Sequence, residues 1–484
     1  MATSKVPLAS STGRWIILAT VLGSGIAFLD GSVVNVALPS ISEDLGGGMA
    51  VLQWILDGYL LTLSALLLLG GALGDRYGRK RVFMIGLVVF TIASLGCGIA
   101  PDSGTLIVAR LVQGVGGALL IPGSLALIDA TIHPDDRGRA IGRWAGFSGV
   151  SSAVGPFVGG WLVDAASWRW VFLINLPLAA IALAVTHRHV PESRTSTIEG
   201  PLDLPGALAV TVGLGGSVFA LIEGPSRGWN ALTIGLGVIG LLSLAAFPLL
   251  ERRQRNPLIP PELLRSRQFV GVNLTTLTVY AALGGAFFLF TLQLQNSMGY
   301  SALQAGVSTL PMTVIMMLLS SRIGALAQRT GPRPLMTAGP VVAGAGLALM
   351  TLAQPGTSYL TGVLPGVVVF GLGMSITVAP LTSTVLASVD EEHVGAASGA
   401  NNAVARLAGL LAIAILPLAA GLDAVGGTGG LGDGYARAMW ISAALCAAGG
   451  AISWFTVSRA GTHVDRAQPS LNHGCVGDRL PEKI

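Results

Sequence analysis

Four ionisable side chains stand where the sequence is otherwise apolar: Asp30 in WIILATVLGSGIAFLDGSVVNVAL, Asp57 in WILDGYLL, Arg110 in RLVQGVGGA, and Arg406 on a stripe with Gly399, Asn402, Ala403 and Gly409. A carboxyl in such a setting can take up and release a proton, because burial favours the neutral acid while a neighbouring guanidinium favours the anion. A guanidinium there needs a carboxylate, a set of carbonyls or a charged ligand. Arg110, Gln113, Gly114 and Gly117 follow i, i+3, i+4, i+7, so charge, amide and two small residues share one helical face. Asp57 lies on a similar stripe with Gln53 and Ser64. Other chemistry finds no support. There is no P-loop, HExxH or GxSxG, the three cysteines (Cys97, Cys446, Cys475) lack metal-ligand spacing, and all six histidines fall in connections or the tail.

The elements that hold these residues follow from composition. Hydrophobic residues make up 52% of the 484 and charged residues only 11%, which no soluble globular domain shows. A hydrocarbon core of about 30 Å takes roughly 20 apolar residues per helical crossing. Fourteen runs meet that need: 15–37, 51–73, 82–100, 105–128, 140–163, 169–187, 203–223, 231–250, 269–292, 303–327, 334–353, 358–382, 395–418 and 436–457. Because backbone polar groups must be satisfied within each segment at that depth, the expected class is an all-α polytopic membrane protein. The first run is too long for a signal-peptide core and carries Asp30. The polar stretch 459–484 reads as a disordered tail.

Lys and Arg set the orientation. Only Arg169, Arg227 and Arg437 fall in connections on one side and Arg110 and Arg406 within spans; the rest of the 28 lie in connections or termini on the other side. By the positive-inside rule both termini are cytoplasmic, and the basic balance reflects topology and anionic lipid rather than nucleic acid. By these boundaries Asp30 lies about eight residues from the outer end of its span, Asp57 about six and Arg110 about five, so at 1.5 Å per residue all three share a depth within roughly 5 Å. Asp129 and Glu223 sit at span ends and read as structural.

Residues 71–81, GALGDRYGRKR, and 324–334, GALAQRTGPRP, match at five of eleven positions, and each joins two spans on the basic side. The match pairs the connection after the second run with that after the tenth. It divides the chain into an N-terminal six-span half over 1–187, a linker with two inserted spans over 188–268, and a C-terminal six-span half over 269–458. Two parallel halves around a central cavity is a transporter architecture.

The chain resembles the major facilitator superfamily, and within it the fourteen-span drug/proton antiporters, over nearly its whole length. The likeness rests on LDGSVVNVALP at 29–39, GALGDRYGRKR at 71–81, RLVQGVGGA at 110–118 and GPFVGG at 155–160. It implies a conformational latch at Gly71, Gly74, Asp75, Arg76, Gly78, Arg79 and Lys80, in which Asp75 and Arg79 hold the halves together; the residues alone also fit a topology anchor. The second copy has Gln328 for the acid and Pro332 for the arginine, which puts its latch role in doubt. In 155–160, Gly155, Pro156, Gly159 and Gly160 remove side-chain bulk and one donor, giving a bent helix that neighbours approach closely; the resemblance makes it an antiporter signature.

The expected function is proton-coupled efflux of small amphipathic or hydrophobic compounds such as antibiotics across a bacterial inner membrane, by alternating access. One charge moving through 100 mV supplies about 2.3 kcal/mol, a roughly fifty-fold gradient per proton, so no cofactor or nucleotide is needed. Asp30 is the first choice for the coupling acid, with Arg110 modulating it and Asp57 as the alternate; a fixed Asp30–Arg110 pair that only sets helix packing is the structural alternative. Asn35, Gln113, Gln293, Asn402 and Arg406 are the expected polar residues of the cavity. A monomer, not an enzyme, is expected. An exporter of one endogenous product on the same architecture is the other reading.

Overall fold

The computed structural model describes residues 5–194, 202–251, 262–390, 394–422 and 431–458; the tail expected over 459–484 and parts of the linker, 195–201 and 252–261, lie outside them. Among the described residues the chain is helical except for turns and one isolated bridge between Val6 and Ile132. The N-terminal half comprises α1 (Ser11–Leu45), α2 (Met49–Tyr77), α3 (Arg79–Gly98), α4 (Ser103–Thr131), α5 (Pro134–Ala165), and α6 (Trp170–Leu173) with α7 (Asn175–His189) as its sixth segment. The inserted pair is α8 (Leu204–Arg227) and α9 (Ala231–Glu251). The C-terminal half comprises α10 (Arg267–Leu292), α11 (Ala302–Ser308) running into α12 (Leu310–Thr330), α13 (Pro332–Met350), α14 (Leu364–Ala387), α15 (Val394–Ala419) and α16 (Gly432–Thr456).

Thirteen of these segments are long and apolar enough to cross a membrane. The fourteenth expected span is α5, which at 32 residues extends about 48 Å but carries Asp135, Asp136, Arg137, Arg139 and Arg143 in its first three turns and many Gly and Ser beyond. Its apolar part is 144–163, the stretch that packs along α1. Pro156 lies inside α5, which continues as helix through it.

The internal repeat is structural. The α2–α3 connection turns on Gly78 at φ 110° and the α12–α13 connection on Gly331 at φ 79°, the same place in the two copies. Only glycine takes those angles at little cost. Packing repeats as well. The α1–α5 contact has its counterpart in α10–α15, and α4 lies against α2 and α3 as α14 does against α12 and α13.

The inserted hairpin is not a free appendage. Its α8 packs on α2 and on α15, the two helices that meet along one seam between the halves. There Glu223, 7% exposed, accepts the Trp54 indole N–H at 2.8 Å and pairs with Arg227 at 2.5 Å. We expect Glu223→Leu to cost about 1–3 kcal/mol by leaving the indole unsatisfied, read as a lower unfolding temperature in detergent, while Glu223→Gln keeps most of the stability.

Candidate functional site

The N-terminal half is built around a buried ion pair. Asp30 of α1 is 0% exposed and Arg110 of α4 1%, and the guanidinium reaches the carboxylate at 2.5 Å. Three helices supply the remaining partners. Arg110 Nε donates to the Ile55 carbonyl of α2 at 2.8 Å, Gln113 accepts from Arg110 at 2.6 Å and donates to Asp30 at 2.8 Å, and Asn175 of α7 donates to the same carboxylate oxygen at 3.1 Å. Ser94 of α3 accepts from both Gln113 and Asn175, at 2.9 and 3.3 Å. The Tyr59 ring lies 4.5 Å from the guanidinium carbon and its hydroxyl donates to the Ala27 carbonyl. Charges this deep are tolerated only when paired and fully hydrogen-bonded.

Asp30 and Arg110, expected at one depth, do meet, whereas Gln113, expected as a cavity residue, is 0% exposed and spends its amide inside this cluster. Asn175, Ser94 and Tyr59 are additions; a lone Asn in the apolar stretch WVFLINLPLAA was the visible signal for the first.

Asp57 does not join this cluster. It has no exposed surface, and neither carboxyl oxygen has a hydrogen-bond partner among the described residues. It faces the seam between the halves. Gln53, one turn earlier on α2, donates to the Ile413 carbonyl of α15 at 2.7 Å, and Leu68 lies against Gly399. These two contacts fix an antiparallel register that sets Asp57 opposite Gly409 and Leu410.

The other expected cavity residues divide. Arg406 stands between the halves, its guanidinium carbon 5.1 Å from the Phe28 ring of α1. Asn35 is half-buried on α1 and donates to Gly31 of its own helix. Asn402 is half-buried, but its neighbour Asn401 is the one that bonds across to α10, donating to Asn273 at 3.1 Å and Thr276 at 2.8 Å. Gln293 belongs elsewhere. It is 1% exposed in a π-helical turn after α10, donates to the Ala353 carbonyl and accepts from Ser297, so its amide is spent inside the C-terminal half.

At the end away from the termini the halves interlock. Asp164, at the close of α5, receives the Ser301 hydroxyl at 2.6 Å and the Ala302 and Leu303 amides at 3.2 and 3.0 Å, capping α11 of the other half. Gln295 donates to the Val36 carbonyl at 3.0 Å. Of the 155–160 glycines, Gly160 serves this contact, while Gly155 and Gly159 let α1 approach α5 within the N-terminal half. A Cβ on Gly155 or Gly159 would strike Ser32 or Val33 of α1, and one on Gly160 would come 2.5 Å from the Ala302 carbonyl oxygen. At the opposite end Gly138, Gly142, Gly146 and Gly149 of α5 have nothing within 4 Å of a built Cβ. The halves are thus joined at the far end through α5 and α11, while this face of α5 near the end that carries the termini has no packing neighbour.

The 71–81 connection is tied within its own half. Arg79 donates to Asp75 at 2.7 Å, the Lys80 and Arg81 amides donate to Glu192 at 3.1 Å each, and the Arg79 amide donates to the Ser193 carbonyl after α7. The Asp75–Arg79 pair bridges the end of α2 and the start of α3 across the turn at Gly78, and Glu192 is a partner the motif did not reveal. A half-buried pair at the membrane surface, one turn apart, is worth about 1 kcal/mol or less, so Asp75→Asn should slow transport by no more than roughly fivefold and leave ligand affinity within twofold. Parallel rate and equilibrium-binding measurements check it; binding that falls in step with transport would rule out a purely conformational role.

Two pseudo-equivalent helical halves joined at one end, with a buried acid–base cluster within one of them, have the architecture of a transporter. The family model of the Major Facilitator Superfamily matches residues 20–413, and the chain belongs to that superfamily. It is 40% identical over 408 residues to the puromycin resistance protein of Streptomyces alboniger, covering 83% of this chain and 81% of that one. It is 36% identical over 438 residues to the probable actinorhodin transporter of Streptomyces coelicolor, with 88% and 76% covered. Among solved structures, a POT family transporter in complex with a thioalcohol conjugated peptide superposes with a TM-score of 0.71 at 12% identity, covering 92% of this chain and 97% of that one; at that identity the likeness is one of fold. The protein is a multi-pass transporter of a bacterial cytoplasmic membrane.

Proposed function

We propose that the chain exports small amphipathic or hydrophobic compounds of the antibiotic type in exchange for protons. The observation that carries this reading is the fully buried Asp30–Arg110–Gln113–Asn175 cluster, a charged site inside an otherwise apolar helical half. Taking a proton onto Asp30 cancels the carboxylate and leaves Arg110 buried without a counter-charge, a situation worth roughly 3–5 kcal/mol. The half must then rearrange to hydrate or re-pair the guanidinium, which links proton uptake to a change of access. By the distribution of Lys and Arg, the end that carries the termini faces the cytoplasm, the side from which substrate would enter. The names of the relatives support the substrate class, one being a resistance protein and one a probable product transporter; export of a single product is the same chemistry with a narrower cavity. No cofactor or catalysis enters, and a monomer suffices.

A second reading of the proton site rests on Asp57. A carboxylate there would be uncompensated, and its seam with α15 must change when the halves rock, whereas the Asp30 cluster lies within one half. The test of the function is drug-dependent collapse of an imposed pH gradient in vesicles that contain the protein. Collapse with cationic, neutral or anionic amphiphiles supports exchange; substrate movement that ignores the gradient contradicts it.

A further inference from the structure

Arg406 has a surrounding that neither the ion-pair cluster nor the α5–α11 contact explains. It is half-buried on α15, and no carboxylate lies within 4.0 Å of it among the described residues. Of the acids on the elements packed around it, Asp30 is taken by Arg110, Gln113 and Asn175, and Asp57, on the same seam, makes no ion pair or hydrogen bond among the described residues. The C-terminal half offers no acid within its helices except Asp433, in the first turn of α16. What does surround Arg406 is aromatic. The guanidinium stacks over Phe28, Phe28 meets Trp144 of α5 edge-on at 6.5 Å, and Trp144 is held in place by a 2.7 Å bond from its indole to Ser24. This constellation draws on α1, α5 and α15, so it spans both halves.

We infer that Arg406, Phe28 and Trp144 form an anion-binding aromatic subsite, and that the preferred cargo carries a carboxylate or similar anionic group on a planar aromatic frame. The guanidinium supplies charge-assisted hydrogen bonds to the anion, and the rings supply stacking for the frame. An unpaired cation at this depth is costly to maintain, and a ligand anion removes that cost on binding. Because the subsite bridges the halves, cargo would also draw them together. The inference rests on the efflux reading above and narrows it to a substrate class.

Three matched fluorescent probes test it: anthracene-9-carboxylate, its methyl ester and 9-(aminomethyl)anthracene. Binding is measured with the full chain in lipid nanodiscs, and gradient-driven movement in proteoliposomes. The acid should bind at least about tenfold more tightly than the amine, as a charge-assisted bond in a desolvated site requires. Arg406→Gln should lose that factor for the acid while changing ester and amine less than twofold. Arg406→Lys should recover part of the preference, and Phe28→Leu should weaken all three. An unchanged unfolding temperature confirms that the variants fold. If ester or amine binds and moves as well as the acid, or if Arg406→Gln weakens all three alike, the subsite is refuted while efflux stands, and a structural role or a pairing with Asp57 in another state is indicated. If no probe of any charge moves, the efflux reading fails and the inference fails with it.

Discussion

Asp30→Asn should abolish uphill, gradient-driven efflux while leaving substrate binding and downhill exchange measurable. Asparagine is nearly isosteric and can still accept from Gln113 or Asn175, so the cluster loses its charge and its protonation step but not its shape. Arg110 retains the Ile55 carbonyl and the Gln113 amide oxygen as acceptors, which keeps the stability loss below the roughly 3–5 kcal/mol of a fully broken buried pair. Removing the other partner is more damaging. Arg110→Ala leaves a buried carboxylate with only two amide donors and empties a large volume against Tyr59 and Phe172. Reconstituted protein with and without an imposed pH gradient separates the two effects; equal loss of uphill and downhill movement in Asp30→Asn would assign the pair to packing alone.

Gly160→Val should arrest the cycle for a steric reason. A Cβ at 160 would lie 2.5 Å from the Ala302 carbonyl oxygen and 2.6 Å from the Leu303 Cα, and backbone atoms cannot step aside as a side chain does. Gly306 meets the Pro156 carbonyl oxygen at 2.1 Å in the same fashion. The clash exists only while α5 and α11 are together, so it penalises the joined state and spares one in which they part. Overpacking costs about 1–3 kcal/mol, which shifts that balance by roughly 5- to 150-fold. Spin labels on Trp161→Cys and Val307→Cys should report a longer α5–α11 distance in the variant, together with a transport rate reduced at least tenfold. An unchanged distance would mean that Gly160 serves packing within its own half and not the contact between the halves.

The hydropathy of the runs made the bundle legible, since a helix that must satisfy its own backbone in lipid announces itself by length. The repeat was legible for a local reason: both copies turn on a positive-φ glycine, Gly78 and Gly331. The α5 helix is the marginal case, because its charged first turns and its Gly and Ser content serve packing and the cavity rather than hydropathy. Asp30 and Arg110 could be brought together by depth, and Gln113 placed on the Arg110 face by i, i+3 spacing. Asn175 could not, since its contact depends on which face α7 turns inward. A single residue separates Asn402 from Asn401, about 100° around the helix, and periodicity alone does not resolve that rotation. Gln293 was misplaced because a π-helical turn resets the register there. Asp164, Glu192 and the orphaned oxygens of Asp57 belong to contacts between segments far apart in sequence, which no run or spacing encodes.

The central claim is that proton exchange takes place at Asp30, and substrate-induced proton release from purified protein tests it most directly. In weakly buffered detergent solution, with a pH indicator in the medium, addition of a transported compound should release protons from the native protein and from Asp57→Asn, and none from Asp30→Asn. Release that survives in Asp30→Asn and vanishes in Asp57→Asn would contradict the account and move the proton to the seam between α2 and α15.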